Sequence, residues 1–317
     1  MNKILHYMHL QDLRGKISFT RILWDILWCN LLYGTTISDY FSYRFYQKKR
    51  CEKKTFMTAK DKDVFYKRVN AGMNSTERQA IQNKNLFNEK FADYLKRESI
   101  NSPQCGYEVF LKFLNLHQSV FVKPTRTGGG YGIEKFSLND VEDTAKLWND
   151  IVKKGECVIE APILQHPHMA ALHPQSINSL RIASFLNENE VTILFAVLRC
   201  GVGDSFVDNH SSGGIAMAID IESGKVCSQA ASKSKTHIIR HPDTGVFLPG
   251  FQIPFWNECL ELIKEVAKKA KGIRYVGWDI AIMPDGICLI EANPGGDFDV
   301  AQEPMQKGIK ETITRLI

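Results

Sequence analysis

The sequence predicts an α+β protein with a helical N-terminal region, and three observations carry that reading. Apolar residues recur at helical spacing through residues 19–32, short strand-like runs begin at Val120, and residues 276–298 have the composition of a β-hairpin. At 317 residues the chain is long enough for two compact units, and its 44% hydrophobic and 24% charged content is ordinary for a globular protein. Eight scattered cysteines without a Cys-x-x-Cys pair indicate reduced thiols in a cytoplasmic protein. No stretch reaches the roughly 18 uninterrupted apolar residues of a membrane span, because Asp25 and Asn30 interrupt the best candidate. Residues 1–15 carry His, Gln, Asp and Arg, so a cleavable signal peptide is not expected.

In the N-terminal region, Phe19, Ile22, Leu23, Ile26, Leu27 and Leu31 form an apolar helical stripe widened by Trp24, Trp28 and Leu32. After the break at Tyr33-Gly34, residues 39–50 read as a second helix, aromatic and basic. Both are expected to pack on the main body, with a membrane interface as the alternative. The net charge of +5 is local in origin: residues 41–70 hold ten Lys/Arg against Glu52, Asp61 and Asp63. Such a run serves either as a solvated helix face or as a patch for an anionic lipid surface or acidic polymer. No recognition motif accompanies it, so nucleic acid is not an expected partner.

Residues 74–116 read as helical, with residues 100–103 ending a connection. Residues 120–124 then form a short strand ending in Lys123-Pro124, followed by the glycine-rich loop 125–132 and a second strand, 133–136. A loop of that kind brings backbone N–H groups close to a ligand, and the neighbouring lysine adds charge, so it serves as a phosphate cradle or as a flexible hairpin loop. A helix over 139–153 leads to the strand 156–160, whose final Glu160 is either a surface acid or an adenine contact. His166, His168 and His173 lack a four-ligand pattern, so zinc is not expected. Strands 176–185 and 191–199 carry Arg181 and Arg199, each able to pair with a structural acid or to hold an anionic substrate. Residues 215–221 form another strand, residues 232–254 a mobile or substrate-facing loop, and residues 256–270 an amphipathic helix ended by Gly272.

That helix delivers the chain to the hairpin. With a turn centred on Asp285, Asp279 faces Glu291 across the strands and Asn293 follows on the same face. Opposed carboxylates on a pair whose Cβ atoms sit about 4.5–5.5 Å apart repel, so a cation belongs between them. Two carboxylates and an amide oxygen are hard ligands with coordination places to spare, which suits Mg²⁺ shared with water and phosphate. A solvent-facing acidic hairpin edge is the alternative, against which the apolar run of Ile280, Ile282, Ile287, Leu289 and Ile290 argues.

In order and together, these features resemble the ATP-grasp superfamily over about residues 85–300. They are Asn88-Glu-Lys90, the Lys123-Pro-Thr-Arg126 loop through Gly132, Glu160, the two arginine strands, Asn209 before Gly213-Gly214, and the Asp279, Glu291 and Asn293 set. The Tyr33-Gly and Asp39-Tyr-Phe portion further resembles the sugar-transfer-associated subgroup, linked with surface polysaccharide assembly.

The resemblance implies an ATP-grasp fold of two α+β subdomains gripping ATP, behind an N-terminal helical extension. It divides the chain into residues 1–73 (helical), 74–118 (mostly helical), 119–163 (lid) and 164–317 (C-terminal subdomain with the metal site). It implies that Lys90 and Lys123 contact phosphates, that Gly128, Gly129 and Gly130 cover them, and that Glu160, Ala161 and the chain through Ile163 hold adenosine. Asp279, Glu291 and Asn293 would bind Mg²⁺ (or Mn²⁺), with Arg181, Arg199 and Asn209 at the acyl-phosphate and acceptor. The implied activity is ADP-forming carboxylate–amine ligation on a small-molecule carboxylate and amine, sugar-linked in the subgroup. A kinase and a non-catalytic nucleotide-binding protein of a glycan assembly complex are the alternatives. Glycan assembly proteins are the partners this subgroup suggests, with the inner, anionic face of a membrane, read from the basic run of residues 41–70, as the other.

Overall fold

The computed structural model describes residues 2–69, 71, 73, 75–127, 131–208, 213–232, 237–270 and 272–316. The N-terminal region is built from α1 (Asn2–Leu10), α2 (Phe19–Tyr33), α3 (Ile37–Ser42), α4 (Arg50–Lys53) and α5 (Ala59–Val69). Helix α2 stops at Gly34, whose φ of 67° lets its N–H close back on the Asn30 carbonyl. Thr36 and Asp39 then form a capping box that starts α3. The helix expected over residues 39–50 is not continuous. Arg44 sits at φ 50°, and a 3₁₀ turn at Phe45–Gln47 redirects the chain. Tyr40, Phe41, Tyr43 and Phe45 thereby enter one core with Ile22, Ile26 and Phe56; a straight helix would have spread those four rings around its circumference.

Helices α6 (Ser75–Gln82), α7 (Lys84–Lys90) and α8 (Ala92–Leu95) lead to the first sheet. It comprises β1 (Ser99–Ser102), β2 (Ser119–Pro124), β3 (Glu134–Ser137) and β4 (Cys157–Glu160), ordered β1-β4-β2-β3 and antiparallel throughout. The segment expected to end a connection, residues 100–103, thus overlaps an edge strand, Ser99–Ser102; four residues are too few to display a period, and pairing with β4 creates the strand. Helices α9 (Gly106–His117) and α10 (Thr144–Lys153) cover the sheet with Phe110, Leu114, Trp148 and Ile151 against Val120 and Ile159. Helix α10 starts later than expected because Asp143 caps the Lys146 N–H.

After α11 (Pro167–Ala170), the second sheet comprises β5 (Leu180–Asn187), β6 (Glu190–Cys200), β7 (Ile215–Ile219), β8 (Tyr275–Met283) and β9 (Gly286–Asn293), ordered β7-β6-β5-β8-β9. Helix α12 (Trp256–Lys269) buries Ile263 and Val266 against Ile182, Trp278 and Ile280 on one face. On the other face, α5, α13 (Asp299–Met305) and α14 (Lys310–Thr314) bring Phe65, Ala301 and Ile313 onto Phe185 and Tyr275. The segment expected as a mobile, substrate-facing loop instead packs down: Leu248, Phe251 and Ile253 join the α12 core, and His241 is buried. Of that segment, residues 233–236 lie outside the described residues.

The N-terminal core docks on the second sheet through Gln302 of α13, which is fully buried. Its amide oxygen accepts from the Met57 N–H (2.8 Å) and the Ile309 N–H (3.2 Å), and its amide nitrogen donates to the Tyr43 hydroxyl (3.0 Å) and the Met57 carbonyl (3.1 Å). Stranding these buried groups is costly. Gln302→Ala is therefore expected to lower unfolding stability by about 3 kcal/mol, read from urea denaturation at neutral pH; a change below about 0.5 kcal/mol would show that this contact does not hold the two parts together.

Candidate active site

The floor of the site is the β8–β9 hairpin. Its turn is Pro284-Asp285, with Met283 paired to Gly286, and counting back from there would set Asp279 opposite Ile290. A bulge absorbs Ile290, so Asp279 faces Glu291 and Gly277 faces Asn293. The expected pairing holds through a device the sequence reading did not include. Without the extra residue, Glu291 would lie on the opposite face of the sheet.

Arginines from β5 and β6 reach Asp279. Arg181 donates through Nε to Oδ1 and through Nη2 to Oδ2 (2.8 Å), and Arg199 Nη2 lies 3.0 Å from Oδ2. Arg199 also donates to the Ser179 hydroxyl (2.6 Å). Burial disfavours the charge on Asp279, but Arg181 and then Arg199 more than offset it and hold the carboxyl down at about 2. Glu291 moves the other way: burial, and then the Asp279 charge, push its carboxyl above the usual range. Asn293 Nδ2 donates to Glu291 Oε1 (3.1 Å). The cation beside Asp279 is thus a pair of guanidiniums: of the two roles open to Arg181 and Arg199 in the sequence, pairing with a structural acid is the one the structure shows.

On the first sheet, Lys123 and Glu160 are joined by an ion pair, and Arg97 Nη2 donates to the second Glu160 oxygen at 2.8 Å. Both carboxylate oxygens are therefore engaged. Glu160 fixes Lys123 from behind; in this arrangement it does not present the free acid expected for adenine. Burial opposes its charge, yet Arg97 and Lys123 hold its carboxyl well below the usual range. Arg97 continues across to the second sheet, donating to the carbonyls of Leu289 (2.6 Å) and Ile290 (3.1 Å) at the bulge. The Ala161 N–H is spent on the Glu98 carbonyl (3.0 Å), and Ile163 is half-buried.

Between the sheets lies a cleft of about 1370 Å³ lined by Arg181, Arg199, Glu291 and Asn293 below and by Lys84, Arg126 and Thr127 above. Lys84 is the cation that α7 contributes: its ammonium donates to the Pro124 carbonyl (3.2 Å) and to the Thr127 carbonyl. Burial lowers its pKa; Glu291 opposes that shift and Lys123 adds to it. The expected Lys90 is exposed and does not line the cleft, because six residues rotate it about 240° from Lys84 and carry it about 9 Å along the axis. Gly128, Gly129, Gly130 and Asn209 lie outside the described residues. At the far end, the hydroxyls of Tyr66 and Tyr275 donate to the Gly296 carbonyl at 2.5 and 2.8 Å, and Lys62 pairs with Asp297.

Glu291 and the Asn293 amide oxygen are hard donors on the cleft floor, while both Asp279 oxygens beside them are engaged by Arg181 and Arg199. Hard donors of this kind suit a divalent cation, which would favour the ionised form of Glu291 that burial disfavours. Among the described residues there is no group of three or more His, Cys, Asp or Glu side chains that could hold a metal ion. His173 sits 2.9 Å from both the Ser176 hydroxyl and the Gly203 carbonyl.

Two antiparallel sheets thus border one cleft, with Lys84 and Arg126 on one wall and Glu291, Asn293, Arg181 and Arg199 on the other. The chain belongs to the sugar-transfer associated ATP-grasp family, whose model matches residues 41–316. Solved structures of similar fold include the ATP-grasp ligase PsnB complexed with a phosphomimetic variant of its minimal precursor, Mg and ADP (13% identity, 80% of this chain, 65% of that chain, TM-score 0.48). D-alanyl-alanine synthetase A from Vibrio cholerae is another (11%, 76%, 65%, 0.48), as is VanG D-Ala:D-Ser ligase from Enterococcus faecalis (14%, 77%, 63%, 0.49). The chain therefore spans slightly less than two thirds of each of these proteins. Among curated proteins none matches the sequence.

The bracketed Glu160 makes acid stability measurable. Its folded pKa is depressed, so it contributes stability that is present above the unfolded value of about 4.3 and lost as pH falls through the folded value. Glu160→Gln strands Arg97 and is expected to cost about 3–5 kcal/mol at pH 7 while flattening the loss of stability below about pH 4.3. Urea titrations at both pH values check it; equal slopes in wild type and variant would show that Glu160 is not held ionised.

Proposed function

We propose that the protein is an ATP- and Mg²⁺-dependent carboxylate–amine ligase acting through an acyl-phosphate. The observation that carries this reading is the in-register Asp279–Glu291 pair, with Arg181 and Arg199 beside it, facing Lys84 across the cleft with Lys123 close behind. A substrate carboxylate attacks the γ-phosphorus of ATP and ADP leaves; an amine then attacks the acyl carbon, phosphate leaves, and the amine proton passes to solvent or phosphate. Because the first nucleophile is already an anion, the site needs charge placement more than a general base. Lys84 and Lys123 hold phosphate oxygens, while Arg181 and Arg199 orient the carboxylate and the acyl-phosphate. The segment from Ala161 through Ile163 borders adenosine. Magnesium held by Glu291, Asn293 and Asp279 would neutralise charge on the transferring phosphoryl oxygens; the same oxygens admit Mn²⁺.

The family description supports a sugar-linked reaction, in which an amino acid or amine is joined to a sugar acid or polysaccharide precursor. We extend the proposal to glycan assembly proteins as partners and, through the basic run of residues 41–70, to the inner face of a membrane.

Amino acids and sugar acids offered together with Mg-ATP are expected to release ADP only when both a carboxylate and an amine are present. Product mass then separates an amide from a phosphorylated acceptor, which would mean a kinase, and ATP binding without acceptor-dependent ADP would mean a non-catalytic role. Glu291→Gln and Asp279→Asn are expected to slow ADP release by roughly two orders of magnitude or more, and Lys84→Ala to weaken ATP binding at least about tenfold, with Lys90→Ala near wild type. Wild-type turnover in either carboxylate variant sinks the metal assignment; loss in Lys90→Ala with none in Lys84→Ala reverses the lysine assignment.

A further inference from the structure

We propose that the outward face of α2, together with the lysine basin at its C-terminal end, docks the protein on an anionic phospholipid bilayer. This deepens the membrane-side placement above by naming the surface and the lipid chemistry, and it stands independently of the ligase chemistry.

Helix α2 buries Ile22, Ile26 and Cys29 and leaves Leu23, Trp24, Leu27, Trp28, Leu31 and Leu32 exposed, at 36–74% of their surface. At 100° per residue these six side chains span an arc of about 180°, half the circumference of a helix about 22 Å long. The arc holds one charged residue, the cationic Arg21. The only acid of the helix, Asp25, is half-buried and lies just beyond the edge of the arc, accepting from the Tyr40 hydroxyl (2.8 Å) and pairing with Lys53 (3.0 Å). The apolar arc itself therefore carries no acid, and the one acid beside it is matched by an ammonium. Two tryptophans among leucines suit the boundary between headgroups and acyl chains, where an amphipathic ring meets both media.

The arc ends at Leu32, which borders a basin of about 360 Å³ shared with Lys53, Lys54, Lys60 and Lys310. Lys53 and Lys310 are paired with Asp25 and Asp61. Lys54 and Lys60 are exposed and have no ion pair among the described residues. Lys60 lies directly across Gly34, the residue that ends α2, with no space there for a Cβ, so its position is fixed to the end of the helix. An apolar face edged by unpaired ammonium groups complements a surface that presents phosphates above hydrocarbon. No helix among the described residues is long and apolar enough to cross a membrane, so contact through this face would be peripheral. Helix α2 precedes the span matched by the family model, whereas the lysines of the basin lie within it.

Flotation of the full chain with vesicles of phosphatidylcholine alone, or mixed with phosphatidylglycerol, tests the proposal. Binding is expected with the mixed vesicles and not with phosphatidylcholine alone, with tryptophan fluorescence quenched by brominated acyl chains. Trp24→Ser/Trp28→Ser/Leu31→Ser should weaken binding at least roughly tenfold, and Lys54→Ala/Lys60→Ala by roughly fivefold per lysine. Far-UV circular dichroism confirms that each variant is folded. No flotation of the wild type overturns the proposal, as does binding that neither variant changes. A wild-type dimer that the triple variant dissolves would assign the face to a second copy of the chain and equally overturn it. ADP release measured without vesicles reports on the ligase reading alone, so either reading can fail while the other stands.

Discussion

One guanidinium sets the relation between the two sheets. Arg97 touches Glu160 on the first sheet and the carbonyls of Leu289 and Ile290 on the second. Those carbonyls belong to the bulge, where an extra residue leaves ladder groups without their regular partners. The same bulge turns Glu291 toward Asp279, and the same Glu160 anchors Lys123. The face on which the acidic floor appears and the height at which the lid cation sits therefore have a common cause. Arg97 is almost fully buried, so its charge is tolerated only because these acceptors surround it.

Charge is distributed unequally among the buried acids. Asp279 lies between two arginines, and Glu160 lies between an arginine and a lysine. Each is already matched. Glu291 has no ion pair among the described residues, and burial together with its neighbour raises its proton affinity. The protein thus keeps one carboxyl in electrostatic deficit in a cleft whose upper wall carries Lys84 and Arg126. A ligand that brings both phosphate and a divalent ion answers both needs at once, whereas a lone anion or a lone cation answers one.

The sequence exposed more of the fold than of the support behind the site. The β-branched runs around Pro284-Asp285-Gly286 revealed the hairpin and its opposed acids because strand alternation has a fixed period. The long apolar repeats of α2 and α12 were equally plain. Arg97 was not, since it stands in the charged run Lys96-Arg97-Glu98, which looks like a solvated connection, and its partners lie 63 to 193 residues away. The bulge had no local signature either, because Ile290 is as apolar as its neighbours. Lys84 carried no signal of its own: it shares a helix with Lys90, and only packing decides which side meets the cleft. The aromatic segment around Arg44 broke where burying four rings in one core outweighed helical propensity.

The hydroxyl of Tyr66, on α5, meets the carbonyl of Gly296 in the loop that follows β9. A piece of the N-terminal region is therefore part of the wall at the far end of the cleft. Chimeras that join this region to the two sheets of a relative would bring a mismatched buttress to that wall. The shape of that end of the cleft is thus expected to track the pairing of the two segments, and neither segment sets it alone.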